Sequence, residues 1–267
     1  MIPPTLDYPP ARQPLSGAAA APQAPPLPPL GDGEVHVWRA ALDLPEPRTQ
    51  ALAATLASDE RARAGRFRAP RDRDRFVAAR GLLRSILACY CETEPGRLRF
   101  RYGPYGKPAI DAERGTGVYF NLSHAGGMVL YAVARRDLGV DLERVRALPM
   151  DERVAGRWFS PEEFAALCAL APDGRREAFA RCWTRREAWA KARGEGLPAF
   201  HRELDASIVE RVPLAVGSTE EIAPRGARWC LRELAPGPGY VAAVAVEDRG
   251  ARLTFADWPS SEPRAQR

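Results

Sequence analysis

Apolar residues at 35 and 37 open VHVWRAAL (35–42), an alternation with no early breaker that predicts a first strand. From Thr49 to Ala64 the period becomes helical, with Leu52 and Leu56 one turn apart and Ser58 placed to cap ahead of Asp59 and Glu60. A second helix is predicted from about Asp72 to Tyr90, where Phe76, Ala79, Leu83, Ile86, Leu87 and Tyr90 recur at three- and four-residue spacing. RYGPYGKPAI gathers turn-formers around Lys107. VYFNLSHAGGMVLYAVA then reads as a strand, a tight polar connection through Asn121, Ser123, His124 and two glycines, and a second strand from Met128 to Ala134. Arg135, Arg136 and Asp137 turn the chain into a further strand, LGVDLERV, with the central runs buried on both faces.

After Pro149, WFSPEEFAAL carries a helix-start signature: Ser160 as cap, Pro161 at the first helical position and Glu163 three residues after the cap. A long helix is predicted over about Arg175 to Arg193, stopped by Gly194 and Gly196. RWCLREL and GYVAAVAV, at the end of a Pro- and Gly-punctuated stretch from 204 to 246, predict an antiparallel pair. Two sets of helices and short strands of comparable size imply two similar halves meeting near residues 137–145, although no literal sequence repeat marks them.

Composition changes this picture at the N-terminus. Ten of the 26 prolines fall within residues 1–30, so this segment is read as a disordered leader that catalysis does not need. The expected organisation is the leader 1–30, an N-terminal half 31–137, a C-terminal half 138–250 and a tail 251–267. Five cysteines without a CxxC pair suit a reducing, cytoplasmic setting. No apolar run approaches the roughly 18–20 residues of a membrane span, and the N-terminus lacks the order of a signal peptide. Of 39 basic residues only Lys107 and Lys191 are lysines, so arginine content says little and each lysine says more. The formal charge of +5 fits nucleic acid, an anionic nucleotide or an acidic protein partner.

Three clusters can carry chemistry. In an extended strand Asp141 and Glu143 share a face while Leu142 faces the core, so the two carboxylates can converge on one hard cation such as Mg²⁺; ordinary alternation on a half-exposed strand gives the same pattern. On the long helix Glu187 and Lys191 stand one above the other, with Trp183 a turn before and Glu195 a turn after, either as a surface ion pair or as a metal-site carboxylate or base beside a phosphate-neutralising ammonium. In NLSHAGG, adjacent Ser123 and His124 are poor triad geometry, and there is no GxSxG, GxGxxG or Walker sequence; anion recognition by hydroxyl, imidazole and backbone N–H groups fits better. Arg80 and Arg84, four residues apart on the second helix, either point at one anionic object or are solvated.

GKP (106–108), FNLSHAGG (120–127), GVDLE (139–143), WFSPEE (158–163) and WTRREAWAKARGEGL (183–197), in this order, resemble the 4′-phosphopantetheinyl transferase superfamily, specifically its long, surfactin-synthetase-activating type. The resemblance spans roughly residues 35–246. It implies an α+β fold, a monomer of two similar α/β-containing halves in a pseudo-twofold arrangement with the active site between them. It further implies Mg²⁺ as cofactor and coenzyme A as donor, whose phosphopantetheine arm passes to a serine of an apo acyl or peptidyl carrier protein with release of adenosine 3′,5′-bisphosphate. Carried onto matching positions, Asp141, Glu143 and Glu187 become the metal ligands and Glu187 also the group that activates the acceptor serine. Lys191 becomes the catalytic diphosphate clamp, Lys107, Ser123 and His124 the phosphate contacts, Asp141 also part of the coenzyme site, and Arg80 a basic residue near the nucleotide.

One position departs from the pattern: Arg186 stands where the family usually has lysine, keeping charge but not ammonium geometry. Fatty-acid, polyketide and nonribosomal-peptide carriers all present the same serine, and the sequence does not choose among them. The resemblance leaves nucleic acid and membrane out of the partner list. A basic nucleic-acid-binding protein or a catalytically inactive carrier-binding module are the competing readings; neither explains a complete set of three carboxylates.

Overall fold

The computed structural model describes residue 27, residues 29–111, 116–145, 159, 161–194, 229–248 and 250–259. Within them the first half begins with β1 (Glu34–Ala41), continues through α1 (Glu46–Thr55), α2 (Ser58–Ala64) and the long α3 (Pro70–Tyr90), and reaches a small hairpin of β2 (Phe100–Tyr102) and β3 (Pro108–Ile110). It closes with the hairpin β4 (Tyr119–Ala125) and β5 (Met128–Ala134). The second half runs β6 (Leu138–Arg144), α4 (Pro161–Ala169), the long α5 (Pro172–Arg193), then the hairpin β7 (Cys230–Leu234) and β8 (Tyr240–Val246). A last strand, β9 (Arg252–Asp257), follows.

The repeat that the sequence does not display is plain in the topology. Each half is a strand, a long helix and a hairpin whose second strand takes the centre of the sheet: β4-β5-β1 in one, β7-β8-β6 in the other, with antiparallel pairing throughout both sets. The α+β class and the two similar halves are as expected.

Alternation along the strands stacks the molecule in layers. Trp38, Ala40, Val129, Tyr131 and Val133 pack under Leu82, Leu83, Ile86 and Leu87 of α3. The opposite face of the same sheet, with Val35, Val37, Leu130 and Ala132, meets Leu138, Val140, Leu142, Val244 and Val246 of the second sheet. That sheet's outer face, with Leu231, Ala243 and Ala245, packs against Ala188, Trp189 and Ala192 of α5. The second sheet therefore has apolar residues on both faces, as its continuous apolar runs predict.

α5 lies close enough to β6 that a Cβ at Gly139 would collide with the Ala188 carbonyl and the Ala192 amide. Glu233 of β7 fixes the helix laterally by accepting from Arg181 and Arg185, while Gly194, at φ 67°, ends it in the left-handed turn that glycine tolerates best.

Several expectations are revised. The helix foreseen over 49–64 is two helices: Leu56, with ψ 144°, breaks it, and Ala57, not Ser58, precedes α2. The break turns α2 inward, so buried Glu60 accepts from the Ala57 amide, Arg80 and Arg84 together. NLSHA is not a turn but the body of β4; only Gly126 and Gly127 connect it to β5. The long helix starts at Pro172, three residues before the expected start. The segment read as a tail contains β9, which pairs in parallel with β1 and brings Trp258 edge-on to Trp38 in the first core. Leu27 and Leu30, read as leader, pack against that core as well. The expected cap Ser160, Glu195 and the stretch 204–228 lie outside the described residues. No helix among the described residues is long and apolar enough to cross a membrane, and all five cysteines are free thiols.

Candidate active site

The two halves touch along β4 and β6, neighbouring strands that do not share a backbone ladder. Side chains of β4 take the ladder's place: Asn121 Oδ1 accepts from the Val140 amide at 3.0 Å, and Ser123 Oγ donates to Asp141 Oδ1 at 2.9 Å. A polar run that looks like a loop is thus a strand whose inward polar residues satisfy the edge of the other half.

Period two then separates the neighbours in NLSH. Asn121 and Ser123 face β6. Leu122 and exposed His124 face the α3 side, where they help line a cavity of about 500 Å³ together with Arg63, Arg75, Arg80 and Tyr102. Ser123 and His124 therefore serve two different compartments and form no dyad. Although the residue as a whole is exposed, partial desolvation of the ring lowers the His124 pKa, and the positive charges of Lys191 and Arg75 lower it further, so a neutral imidazole is favoured there.

On β6 the odd positions face α5. Asp141 is buried, and its Oδ1 receives Lys191 Nζ at 2.5 Å as well as Ser123; Lys191 Nζ also reaches Ser123 Oγ at 3.2 Å. Asp141 Oδ2 is buried with no hydrogen-bond partner among the described residues. Glu143 and Glu187 flank this pair. Burial pushes the Glu143 carboxyl up to about 7, reinforced by the Asp141 charge, and Lys191 only partly compensates. Glu187 is also raised, first by burial, with Lys191 pulling the other way and Asp141 adding to the rise. Among the described residues, the cation facing these three crowded carboxylates is the ammonium of Lys191.

This deficit of positive charge has a measurable consequence in metal-free protein. The folded Glu143 pKa lies above its ordinary value of 4.5, so between the two values the folded state binds more protons than the unfolded state. Unfolding free energy should then fall as pH rises from about 4.5 to about 7. Urea denaturation across that range in chelator-treated protein should show the slope in wild type and a clearly smaller one in Glu143→Gln. An equal slope in the two proteins would remove Glu143 as its source.

No group of three His, Cys, Asp or Glu side chains among the described residues is arranged as a ready-made metal cage. What is present is an orphaned carboxylate oxygen and two protonation-prone carboxylates, all hard oxygen donors. That set fits a cation such as Mg²⁺, which is commonly held by one or two carboxylates and completes its octahedron with water and substrate phosphate.

Four residues sit differently from the simplest reading of the sequence. Arg80 and Arg84 do converge on one anion, but it is Glu60 of the same chain; Arg84 is fully buried, whereas Arg80 also donates to Tyr102 and lines the cavity. Arg186 donates to both oxygens of Glu163, at 2.7 and 2.5 Å, and lies over the Phe159 ring, which ties α5 to the start of α4. Lys107 points away from the arginine-lined cavity. Its Nζ donates to Asp137 Oδ1 at 2.9 Å and to the Ala192 carbonyl at 2.6 Å.

Sequence reasoning missed Arg63 and Arg75, since two more arginines in an arginine-rich chain carry no signal. It also missed Asp43, which grips Arg75 through both oxygens at 2.8 and 2.7 Å and so holds it at the cavity.

The molecule is thus two antiparallel α/β halves with a carboxylate and lysine cluster at their junction, beside a basic cavity. Residues 45–136 match the family described as 4′-phosphopantetheinyl transferase, N-terminal, and residues 137–245 match the 4′-phosphopantetheinyl transferase superfamily. The chain is 43% identical over 237 residues to the 4′-phosphopantetheinyl transferase HetI of Nostoc sp., an alignment covering 88% of this chain and 96% of that one. It is 27% identical over 154 residues to the 4′-phosphopantetheinyl transferase Sfp of Bacillus subtilis, covering 58% and 67%. The chain belongs to the 4′-phosphopantetheinyl transferase superfamily. The division between the two matched regions falls at Asp137, where the turn between the halves lies.

Proposed function

We propose that this protein is an enzyme that moves the 4′-phosphopantetheine arm of coenzyme A onto a serine of an apo carrier protein, using the junction between β4, β6 and α5 as its reaction centre. The observation that carries the reading is the contact of buried Asp141 and Ser123 with Lys191, flanked by Glu143 and Glu187, in a chain of this superfamily. The serine oxygen attacks the β-phosphorus of coenzyme A; the bond from that phosphorus to the bridging oxygen breaks, and adenosine 3′,5′-bisphosphate leaves with the electron pair.

Each residue has a task in that exchange. Glu187 accepts the serine proton, a role favoured by a carboxyl whose pKa is raised toward the working pH. Lys191, already aimed at the cluster, neutralises charge that develops on the diphosphate oxygens. Arg63, Arg75, Arg80 and His124 line the cavity that receives the nucleotide end, and Asp43 keeps Arg75 directed into it. Ser123 is not a nucleophile: its hydroxyl holds Asp141 in place. Bound Mg²⁺, held by Asp141, Glu143 and Glu187, would supply electrostatic stabilisation of the phosphoryl oxygens. The same reading makes the protein a cytoplasmic monomer, and its five free thiols support the reducing compartment. It needs no nucleic acid or membrane, and the halves 31–137 and 138–250 meet at the reaction centre, the first through β4 and the second through β6 and α5.

Incubation with coenzyme A, Mg²⁺ and a panel of apo carrier proteins tests this directly. Intact-mass analysis should show a carrier gaining one phosphopantetheine at its serine, with equimolar adenosine 3′,5′-bisphosphate released. Unmodified carriers throughout a panel of acyl, polyketide and peptidyl types would contradict it.

A further inference from the structure

We infer that Lys107 is a positioning residue, which acts on the reaction through α5 rather than by touching coenzyme A. The inference rests on the reading of Lys191 as the diphosphate contact and adds the residue that keeps it aimed.

Lys107 is seated in the β2–β3 hairpin of the first half, between Gly106 and Pro108, both of which line the arginine-rich cavity. Its own side chain leaves that cavity and crosses to the second half, where its ammonium has two partners. One is the Asp137 carboxylate, immediately before β6; the other is the carbonyl of Ala192, in the last turn of α5. β6 carries Asp141 and Glu143, and α5 carries Glu187 and Lys191. One ammonium therefore ties together the base of the strand and the end of the helix whose facing side chains form the reaction centre.

The chemistry of a helix terminus explains why this tie is strong where a surface ion pair would be weak. The last carbonyls of a helix have no amide four residues on, and they carry the negative end of the helix dipole. At the end of α5, the Gly194 amide serves Ala190, and Lys107 serves Ala192. Asp137 is half-exposed, so its pairing alone would contribute little. The charge-assisted bond to Ala192, one residue after Lys191, fixes the direction of the turn from which Lys191 projects.

The direct test is amide exchange on the full-length protein without ligand. Lys107→Met should raise the exchange rate of the last turn of α5, around residues 190–194, by roughly five- to thirty-fold, leaving α3 unchanged. Lys107→Gln, shorter but still a donor, serves if the methionine variant does not fold, and should show the same local increase. Lys107→Arg should recover part of the protection.

In transfer assays Lys107→Met should lower kcat/KM for coenzyme A in the wild-type background, yet have little further effect in a Lys191→Ala background, because its action runs through Lys191. Unchanged ligand-free exchange in a folded variant, or a full kinetic loss that persists without Lys191, would overturn the inference and leave Lys107 as a direct phosphate contact. The exchange measurement does not depend on transfer, and wild-type transfer to a carrier is scored separately. Failure here is therefore distinct from failure of the functional reading.

Discussion

Asp141→Asn is expected to lower phosphopantetheine transfer by about a hundred- to a thousand-fold at saturating Mg²⁺, the scale seen when one preorganised electrostatic group is removed from a reaction centre. The substitution is chosen for what it keeps. Asparagine Oδ1 still accepts from Ser123 and Lys191, so the contacts between β4, β6 and α5 survive, while the charge and the partnerless Oδ2 are lost. Circular dichroism and thermal unfolding should therefore remain close to wild type. Near-normal turnover in the folded variant would return Asp141 to a structural anchor for Lys191.

Lys191→Ala should produce a loss of comparable size, on the order of a hundred-fold in kcat/KM for coenzyme A. It should also weaken the metal-free fold, because Asp141 is buried and would lose its charged partner; breaking a buried pair from one side typically costs about 3–5 kcal/mol. The two effects can be told apart. Added Mg²⁺ should restore stability, by replacing the missing positive charge, without restoring the rate. Lys191→Arg should recover stability more fully than activity, since charge returns but the compact ammonium does not. Stability loss with unaltered kinetics would confine Lys191 to an ion pair.

Much of this arrangement was legible in the chain because it is local. Gly139, Asp141 and Glu143 share a strand face by the period of two, Glu187 and Lys191 share a helix face by the period of four, and the structure brings the two faces together. What escaped was set by distant partners. Asn121, Ser123 and His124 look like a loop because polar residues and glycines cluster there, yet inward polar groups on β4 replace a missing ladder across the halves. The helix over 49–64 breaks because buried Glu60 must meet Arg80 and Arg84, a demand from α3 that the local pattern does not carry. β9 hides behind a Pro- and Gly-rich neighbourhood and gains its place by pairing with a strand more than two hundred residues earlier. Arg186 illustrates the same limit: its charge at a position where the family usually has lysine says nothing of Glu163 and Phe159, which the fold makes its neighbours. The repeat of the two halves is topological, so no residue-by-residue likeness announces it.

On the proposed mechanism the carboxylates gathered by β6 and α5 hold a divalent cation together with coenzyme A. Titration of the protein with Mn²⁺ in the presence of coenzyme A, followed by electron paramagnetic resonance, measures that directly. Wild-type protein should show saturable Mn²⁺ binding that Mg²⁺ competes away, and Asp141→Asn should lose it while still folding. Equal Mn²⁺ binding by the two proteins would place the cation elsewhere than at Asp141.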